Sequence, residues 1–473
     1  MVKFSYTYNK IKKYNATTMT NLLKPAPLPD VRRDYTLTPS RELDSMVEIG
    51  TAGADVLIDE AKILGIIERT DKAEPVWRRY LQTQEQASEL ERAVVERQLG
   101  EIALFRMVIA QHTGEEDKSQ DIGAIQEVLF DYYSPELFQA ALRQKIDMIA
   151  SLDIPKELEY TRALLLDTLE SHQDDGQATE LEKPTDETLS QIGNWLHQQF
   201  DDLFDMIDAD GRKKYDATSI AHYFQMALDS TPALRENGWV VEVVEREKSV
   251  ISVHAADKKI LIAKQRVATS EALKKVIVHE VFGHALRSAI AEENGIEVGQ
   301  QGTATYARFE ESLMIALEQC LAGEYKPERG IDHYLAVGLS VTEGLSKDEI
   351  ARIFKTMHVL QKSKDGLTDD VLAKSHKATA EQIRRTFAGM TDVDDGIAYR
   401  KDIDYLHGLN DSWKLLNFIA EHNIIDTAMP WLLAAKFNPF EVNERAYVNK
   451  FIPMPQELEA FFLNVDEREK EAA

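Results

Sequence analysis

Helical spacing of apolar residues runs through most of this chain, and one short region departs from it. In residues 44–67, 75–111 and 135–151, apolar side chains recur three and four positions apart between Glu, Gln, Arg and Ala, which predicts amphipathic helices. Between Trp239 and Lys264 the pattern changes to β-branched runs, WVVEVVE, SVISVH and KKILIAK, which predict three strands of an antiparallel sheet. The sequence therefore predicts a predominantly helical α+β fold with a small antiparallel sheet.

The composition changes along the chain and predicts three regions. Residues 1–41 contain several prolines between short polar stretches, which favours an extended N-terminal arm. Residues 42–215 have helical spacing and little that suggests chemistry, so we predict a helical region there. Residues 216–465 contain the predicted sheet and the helix that follows it, and we predict that they form the domain with the functional site.

Charge and cysteine content limit the partners and the compartment. The chain has 55 Lys and Arg against 81 Asp and Glu, a net charge of −26, which argues against nucleic acid and anionic membranes as partners. Its single cysteine, Cys320, cannot form an intramolecular disulfide, which fits a reducing compartment. The N-terminus lacks the apolar run of a secretory signal, and no segment approaches the roughly 20 apolar residues of a membrane span. We therefore expect a cytoplasmic protein and leave its oligomeric state open.

The helix that follows the predicted sheet contains two histidines that bracket a glutamate. Residues 279–284 read HEVFGH, so His279 and His284 are five positions apart. In a regular α-helix, side chains at this spacing point about 140° apart, too wide for both imidazoles to reach one ion. Gly283 lies within the extra turn, and we expect the helix to widen there into a π-type bulge.

Acidic residues on the next predicted helix could complete a zinc site. Mononuclear peptidases hold zinc through two histidines and a glutamate and leave a fourth position for water. Glu310 and Glu311 are about 100° apart around a helix axis, so only one can easily face the ion. We favour Glu311 as the ligand and Glu310 as a partner that orients a histidine, with Glu318 as a further ligand candidate. Glu280 would then be the general base. The alternative is a helix with two packed histidines and no metal.

These motifs, together with a later segment, resemble the microtubule-associated tyrosine carboxypeptidase family, which includes bacterial QEGLA-motif proteins. The later segment, KDIDYLHG at residues 401–408, fits K-D-x-x-Y-x-x-G and is preceded by Arg385 and Gly389. The resemblance extends from Ala217 to Asn417. The family signature E-G-L-A appears here as ESLM at residues 311–314, so a preference for C-terminal tyrosine is not carried over.

The resemblance implies a zinc carboxypeptidase, with Zn²⁺ as cofactor, that removes C-terminal residues from peptides or proteins. It implies that the metal is held by His279, His284 and one glutamate of the E-E-x-L segment at residues 310–313. It also implies that Glu280 is the catalytic base. Within the later segment, Tyr405 is the candidate donor to a developing oxyanion, ahead of His407. The candidate cations for the substrate's terminal carboxylate are Lys401, Arg400 and Arg385. Two other functions stay open, namely a non-catalytic metal-binding scaffold and a zinc amidohydrolase with a non-peptide substrate.

Overall fold

The structure is a computed structural model, and it describes residues 47–49, 56–58, 60–83, 88–113, 119–130, 133–174, 180–246, 249–328, 330–387 and 396–472. The predicted arm at residues 1–41 and Gly389 lie outside these ranges. Among the described residues, no helix combines the length and the apolar character needed to cross a membrane.

Helices make up most of the described chain, and the predominantly helical α+β class is confirmed. The α-helices are α1 (Glu60–Thr83), α2 (Glu89–Thr113), α3 (Ser119–Leu129), α4 (Pro135–Ala150), α5 (Glu159–Glu170), α6 (Asp186–Gln199), α7 (Asp201–Asp210), α8 (Ala217–Ser230), α9 (Pro232–Glu236), α10 (Ser270–Ile277), α11 (Arg287–Glu293), α12 (Glu297–Gln301), α13 (Tyr306–Ala322), α14 (Ile331–Val341), α15 (Lys347–Lys362), α16 (Asp369–Phe387), α17 (Asp404–Glu421), α18 (Ile425–Leu432), α19 (Val442–Val448) and α20 (Gln456–Ala472). The strands are β1 (Val47–Ile49), β2 (Val56–Ile58), β3 (Tyr215–Asp216), β4 (Val240–Val244), β5 (Ile251–His254), β6 (Lys259–Ala263) and β7 (Val267–Ala268).

The chain divides into two compact units. The first consists of Met1–Gln177 and Leu335–Asp402, and the second of Ala178–Tyr334 and Ile403–Ala473. The boundaries predicted at residues 41 and 215 follow composition along the chain, whereas each of these units combines segments that are far apart in sequence.

In the first unit, α15 and α16 pack against each other, and the antiparallel strands β1 and β2 pair from Val47 opposite Ile58. The first turn of α15 is closed by a capping box, in which Ser346 and Glu349 satisfy each other's backbone N–H groups. His358 of α15 is buried, and its Nδ1 lies 3.0 Å from Oγ1 of Thr379 on α16. This histidine is therefore part of the packing between the two helices.

The second unit contains the three strands predicted between Trp239 and Lys264, but their pairing differs from the prediction. The sheet order is β4–β6–β5, in which β5 and β6 are antiparallel whereas β4 and β6 are parallel. The chain reverses direction between β4 and β5 and again between β5 and β6, so β4 and β6 run the same way. The prediction of a purely antiparallel arrangement for these strands was wrong because the runs fix strand positions and not the order across the sheet. The pairs β1–β2 and β3–β7 are antiparallel.

One face of this sheet packs onto the helical core of the second unit. Ile260 and Ile262 of β6 are fully buried, and Ile251 and Val253 of β5 pack against the same core. β5 also packs against the segment Val278–Leu286, which contains the HEVFGH motif. The sheet therefore lies beside the motif helix, as predicted.

A glycine allows α13 and α17 to approach closely in the second unit. A Cβ atom at Gly408 of α17 would lie 2.0 Å from the carbonyl oxygen of Arg308 and 2.5 Å from Oγ of Ser312, both on α13. Only a residue without a side chain fits this contact. The start of α17 is thereby held against the part of α13 that carries Glu310 and Glu311.

Candidate metal centre

The motif lies on a widened helix. Thr269 caps the N-terminus of α10 by accepting a hydrogen bond from the backbone N–H of Ala272. After α10, the segment Val278–Leu286 forms a nine-residue π-helix and then continues as α11. The predicted π-type bulge is confirmed, and the ring centroids of the two motif histidines lie 5.0 Å apart. The wider turn brings both imidazoles to one side of the helix.

Gly283 also leaves room for a side chain of α13. A Cβ atom at this position would lie 1.9 Å from Sδ and 2.5 Å from Cγ of Met314. Met314 is fully buried and stands at the last position of the segment that resembles E-G-L-A. The thioether of Met314 therefore occupies the space beside Gly283, and α13 lies directly against the π-helix.

We expect Gly283→Ala to lower the free energy of unfolding by about 1–3 kcal/mol, because the added methyl group overfills this contact. Met314→Ala alone leaves a cavity and also destabilises, but the two substitutions together should cost less than the sum of their separate losses, because the added methyl group fills part of that cavity. The measurement is urea unfolding followed by circular dichroism. Gly123→Ala is the control, since Gly123 also lies within a helix and a Cβ atom there would meet nothing within 4 Å. An equal effect of both alanines would contradict the packing explanation.

Three potential ligand atoms converge at the π-helix. Nε2 of His279 lies 3.7 Å from Oε2 of Glu311, and Nε2 of His284 lies 3.6 Å from Oε1 of the same carboxylate. One ligand atom from each residue can be chosen such that all lie within 4.8 Å of one another. Ligands in a tetrahedral zinc site with bonds of about 2.1 Å are roughly 3.4 Å apart, so the spacing is close to that of a zinc site. The structure thus brings together the three residues that the sequence favours as ligands.

The other ring nitrogen of each histidine, Nδ1, contacts a further carboxylate. Nδ1 of His279 lies 2.7 Å from Oε1 of Glu318, and Nδ1 of His284 lies 2.9 Å from Oε2 of Glu310. In the tautomer that carries its proton on Nδ1, each ring donates to a carboxylate and directs the Nε2 lone pair toward Glu311. Glu310 has the orienting position that the sequence suggests. Glu318, which the sequence suggests as a further ligand, instead contacts Nδ1 of His279. Its position seven residues after Glu311 predicts that both side chains lie on the same side of α13.

Two cations surround Glu310, and sequence reasoning missed both. Nη1 of Arg287 lies 3.4 Å from Oε1 of Glu310, and Nζ of Lys436 lies 3.5 Å from its Oε2. Arg287 is three residues after His284, so its position along the helix could have indicated that its side chain lies near the site. Lys436 is 126 residues from Glu310 and gives no local signal.

Hydrogen bonds and charges shift the pKa values of the cluster. Burial would lower the pKa of His279, but the nearby Glu311 carboxylate and the hydrogen bond with Glu318 outweigh burial and raise this pKa well above its usual value. Burial would likewise raise the pKa of Glu311, but the nearby imidazoles of His279 and His284 lower it to about 2. The pKa of Glu280 is raised, mainly by burial. The directions of the His279 and Glu311 shifts are those expected where carboxylates favour a nearby positive charge.

The charges of the site also fit a divalent cation. With neutral imidazoles, four ionised carboxylates and two cations leave a net charge of −2, which one Zn²⁺ would neutralise. The carboxylates are Glu280, Glu310, Glu311 and Glu318, and the cations are Arg287 and Lys436. Nitrogen and oxygen donors of this kind are the usual ligands of zinc.

The residues of the K-D-x-x-Y-x-x-G segment that belong to the second unit lie at the start of α17. Oγ of Ser312 lies 3.3 Å from the backbone carbonyl oxygen of Tyr405, next to Glu311 along α13. Tyr405 is half-buried. Nδ1 of His407 lies 2.6 Å from Nη2 of Arg308, which also bonds Asp411 at 2.7 Å. His407 is therefore part of a half-buried network with Arg308 and Asp411.

The candidate cations for a substrate carboxylate belong to the first unit. Nε of Arg385 donates to Oδ2 of Asp402 at 2.8 Å, and Nη2 of Arg400 donates to Oε1 of Glu127 at 3.3 Å. Lys401 is half-buried in the short 3₁₀-helix Arg400–Ile403. Two of the three cations thus have acidic partners within their own unit.

Comparisons with known protein families, with curated proteins and with solved structures find no significant match to this chain. The function is therefore inferred from the site.

Proposed function

We propose that this protein is a zinc-dependent metallopeptidase that removes C-terminal residues from peptides or proteins. The observation that supports this most strongly is the convergence of one potential ligand atom each from His279, His284 and Glu311 within 4.8 Å. Glu280 adds to it, because a site that only binds zinc needs ligands but no base. The resemblance of the motifs to the tyrosine carboxypeptidase family supports the choice of C-terminal removal.

In this proposal His279, His284 and Glu311 hold the metal, and Glu280 moves the proton. A bound zinc ion supplies a Lewis acid for the scissile carbonyl and lowers the pKa of a bound water molecule. The Glu280 carboxylate accepts the proton of the attacking water and returns it to the leaving amine. Burial raises the pKa of Glu280, which brings its affinity for a proton closer to what a reversible proton carrier needs. Glu310 and Glu318 keep both imidazoles in the orientation that binding requires.

The edge strand β5 is the surface that we assign to the substrate backbone. Both β4 and β5 are at edges of the three-stranded sheet. On β4, the N–H of Val241 donates to Oε1 of Gln225 at 3.1 Å, so a side chain of α8 already covers that edge. β5 packs against the π-helix. An extended peptide that paired with β5 would therefore run beside the metal ligands.

Metal analysis of the purified protein, followed by digestion of a peptide library, tests this function. We expect about one zinc per chain, and we expect mass spectrometry to detect peptides that lose residues from their C-termini. A chelator should stop the cleavage, and added zinc should restore it. Absence of stoichiometric metal would contradict the metal site. Zinc without cleavage of any peptide would favour the amidohydrolase or the scaffold, and cleavage within peptides would contradict the carboxypeptidase assignment.

A further inference from the structure

Arg287 connects the candidate metal centre to a distant part of the second unit. Its side chain is completely buried. Nε donates to the carbonyl oxygen of Ala435 at 2.8 Å, Nη2 donates to that of Phe437 at 3.1 Å, and Nη1 reaches Oε1 of Glu310 at 3.4 Å. The three nitrogens of one planar guanidinium are thus fixed by three acceptors, and the orientation of the group is set.

The two carbonyl groups that hold Arg287 are themselves held in place. Between them, the backbone N–H of Lys436 donates to Gly299 at 2.9 Å, and the Lys436 carbonyl accepts from the N–H of Thr303 at 3.0 Å. Directly after them, the N–H of Asn438 donates to Oε2 of Glu444 at 2.7 Å. The segment is therefore bonded on both sides and provides a rigid anchor for the guanidinium.

Glu310 lies between Arg287 and His284, one of the proposed metal ligands. Its Oε1 faces Arg287, and its Oε2 lies 2.9 Å from Nδ1 of His284 and 3.5 Å from Nζ of Lys436. A carboxylate fixed at one oxygen offers its other oxygen in a defined direction, and the ring that donates to it is fixed as well. Glu318, the corresponding partner of His279, is more exposed, with 21% of its side chain accessible against 4% for Glu310.

We propose that Arg287 is a positioning residue of the metal centre, which acts through Glu310 to direct Nε2 of His284 toward the ion. This inference rests on the proposed function, because it assumes that the site binds zinc. The segment around Ala435 and Phe437 is then part of the metal site, although none of its residues contacts the ion. A loss of the guanidinium geometry should weaken metal binding even when the positive charge is kept.

Arg287→Lys tests this inference, because it keeps the charge but cannot reach three acceptors with one planar group. We expect the dissociation constant for zinc, measured by competition with a chromophoric chelator, to rise by about tenfold. The visible absorption of the cobalt-substituted variant should differ from that of the wild type, because the ligand geometry changes. Glu310→Gln should also weaken zinc binding, and Arg287→Lys should add little in that background.

Arg162→Lys is the matched control. Arg162, in the first unit, also holds two backbone carbonyl oxygens, those of Ala150 at 3.3 Å and Leu152 at 2.9 Å, together with the carboxylate of Glu159. Its acceptors lie outside the segment around Ala435 and Phe437. We expect this variant to lose stability to heat without a change in the zinc dissociation constant.

Several results would overturn the inference. They are an unchanged zinc constant and an unchanged cobalt spectrum in Arg287→Lys, an equal weakening in Arg162→Lys, or an undiminished effect of Arg287→Lys in the Glu310→Gln background. If Arg287→Lys does not fold, Glu310→Gln alone decides, and unaltered zinc binding in that variant would contradict the proposed path. Failure of the wild type to bind zinc would instead contradict the proposed function, so the two failures are distinguishable.

Discussion

Glu280→Gln is expected to abolish most peptide hydrolysis and to leave the zinc content unchanged. Glutamine has the shape of glutamate but cannot accept the proton of the attacking water, and a general base contributes about 10²–10⁴-fold to the rate. Glu280 lies between His279 and His284 in sequence and is not one of the three residues whose potential ligand atoms converge. The measurement is kcat on a peptide that the wild type cleaves, together with metal analysis of both proteins.

Glu318→Gln is the control for the loss of a carboxylate near the ligands. Because Glu318 contacts Nδ1 of His279, this variant should weaken zinc binding but recover most of its kcat when zinc is saturating. A Glu280→Gln protein with wild-type kcat would show that Glu280 is not the base. A Glu280→Gln protein without zinc would show that the residue acts in metal binding instead.

His284→Ala is expected to remove zinc from the protein. The variant loses one of three ligand side chains, and the two remaining residues cannot form the three-ligand set of a mononuclear peptidase. We expect about one zinc per wild-type chain and almost none in the variant after dialysis against a chelator, as measured by elemental analysis. Peptide cleavage should disappear together with the metal.

The control for this substitution is His422→Ala. His422 is an exposed histidine of the second unit, and its Nδ1 lies near the carbonyl oxygen of Phe418 in its own helix end. This variant should keep its zinc. Because His284 is buried, circular dichroism must show that His284→Ala remains folded. A folded His284→Ala protein with stoichiometric zinc would rule out His284 as a ligand.

Local geometry was the part of this molecule that could be predicted from the sequence. The five-residue spacing of His279 and His284, with Gly283 between them, predicts a widened helix, since no regular α-helix brings both rings to one side. The angular separation of Glu310 and Glu311 likewise predicts that only one of them faces the ion. Both arguments depend on residues that are neighbours along one helix, where spacing and geometry are directly related.

Contacts between distant segments could not be predicted in the same way. The β-branched runs predict strands but do not specify that β4 lies across β6 from β5, so the parallel pairing was missed. Lys436 approaches Glu310 only because α13 and the segment after α18 fold together, and neither segment carries a motif for this contact. The composition of the chain likewise does not indicate that Leu335–Asp402 joins the first unit.

The raised pKa of His279 also bears on how the proposed site would take up a metal ion. The nearby Glu311 carboxylate and the hydrogen bond with Glu318 favour the imidazolium form of this residue. This proton contributes to stability fully below the usual pKa of histidine, and the contribution is lost as the pH rises through the raised pKa. With His279 protonated, the charges counted for the cluster sum to −1 instead of −2. If the site binds zinc as proposed, binding must displace this proton, so the apparent affinity for zinc should rise with pH.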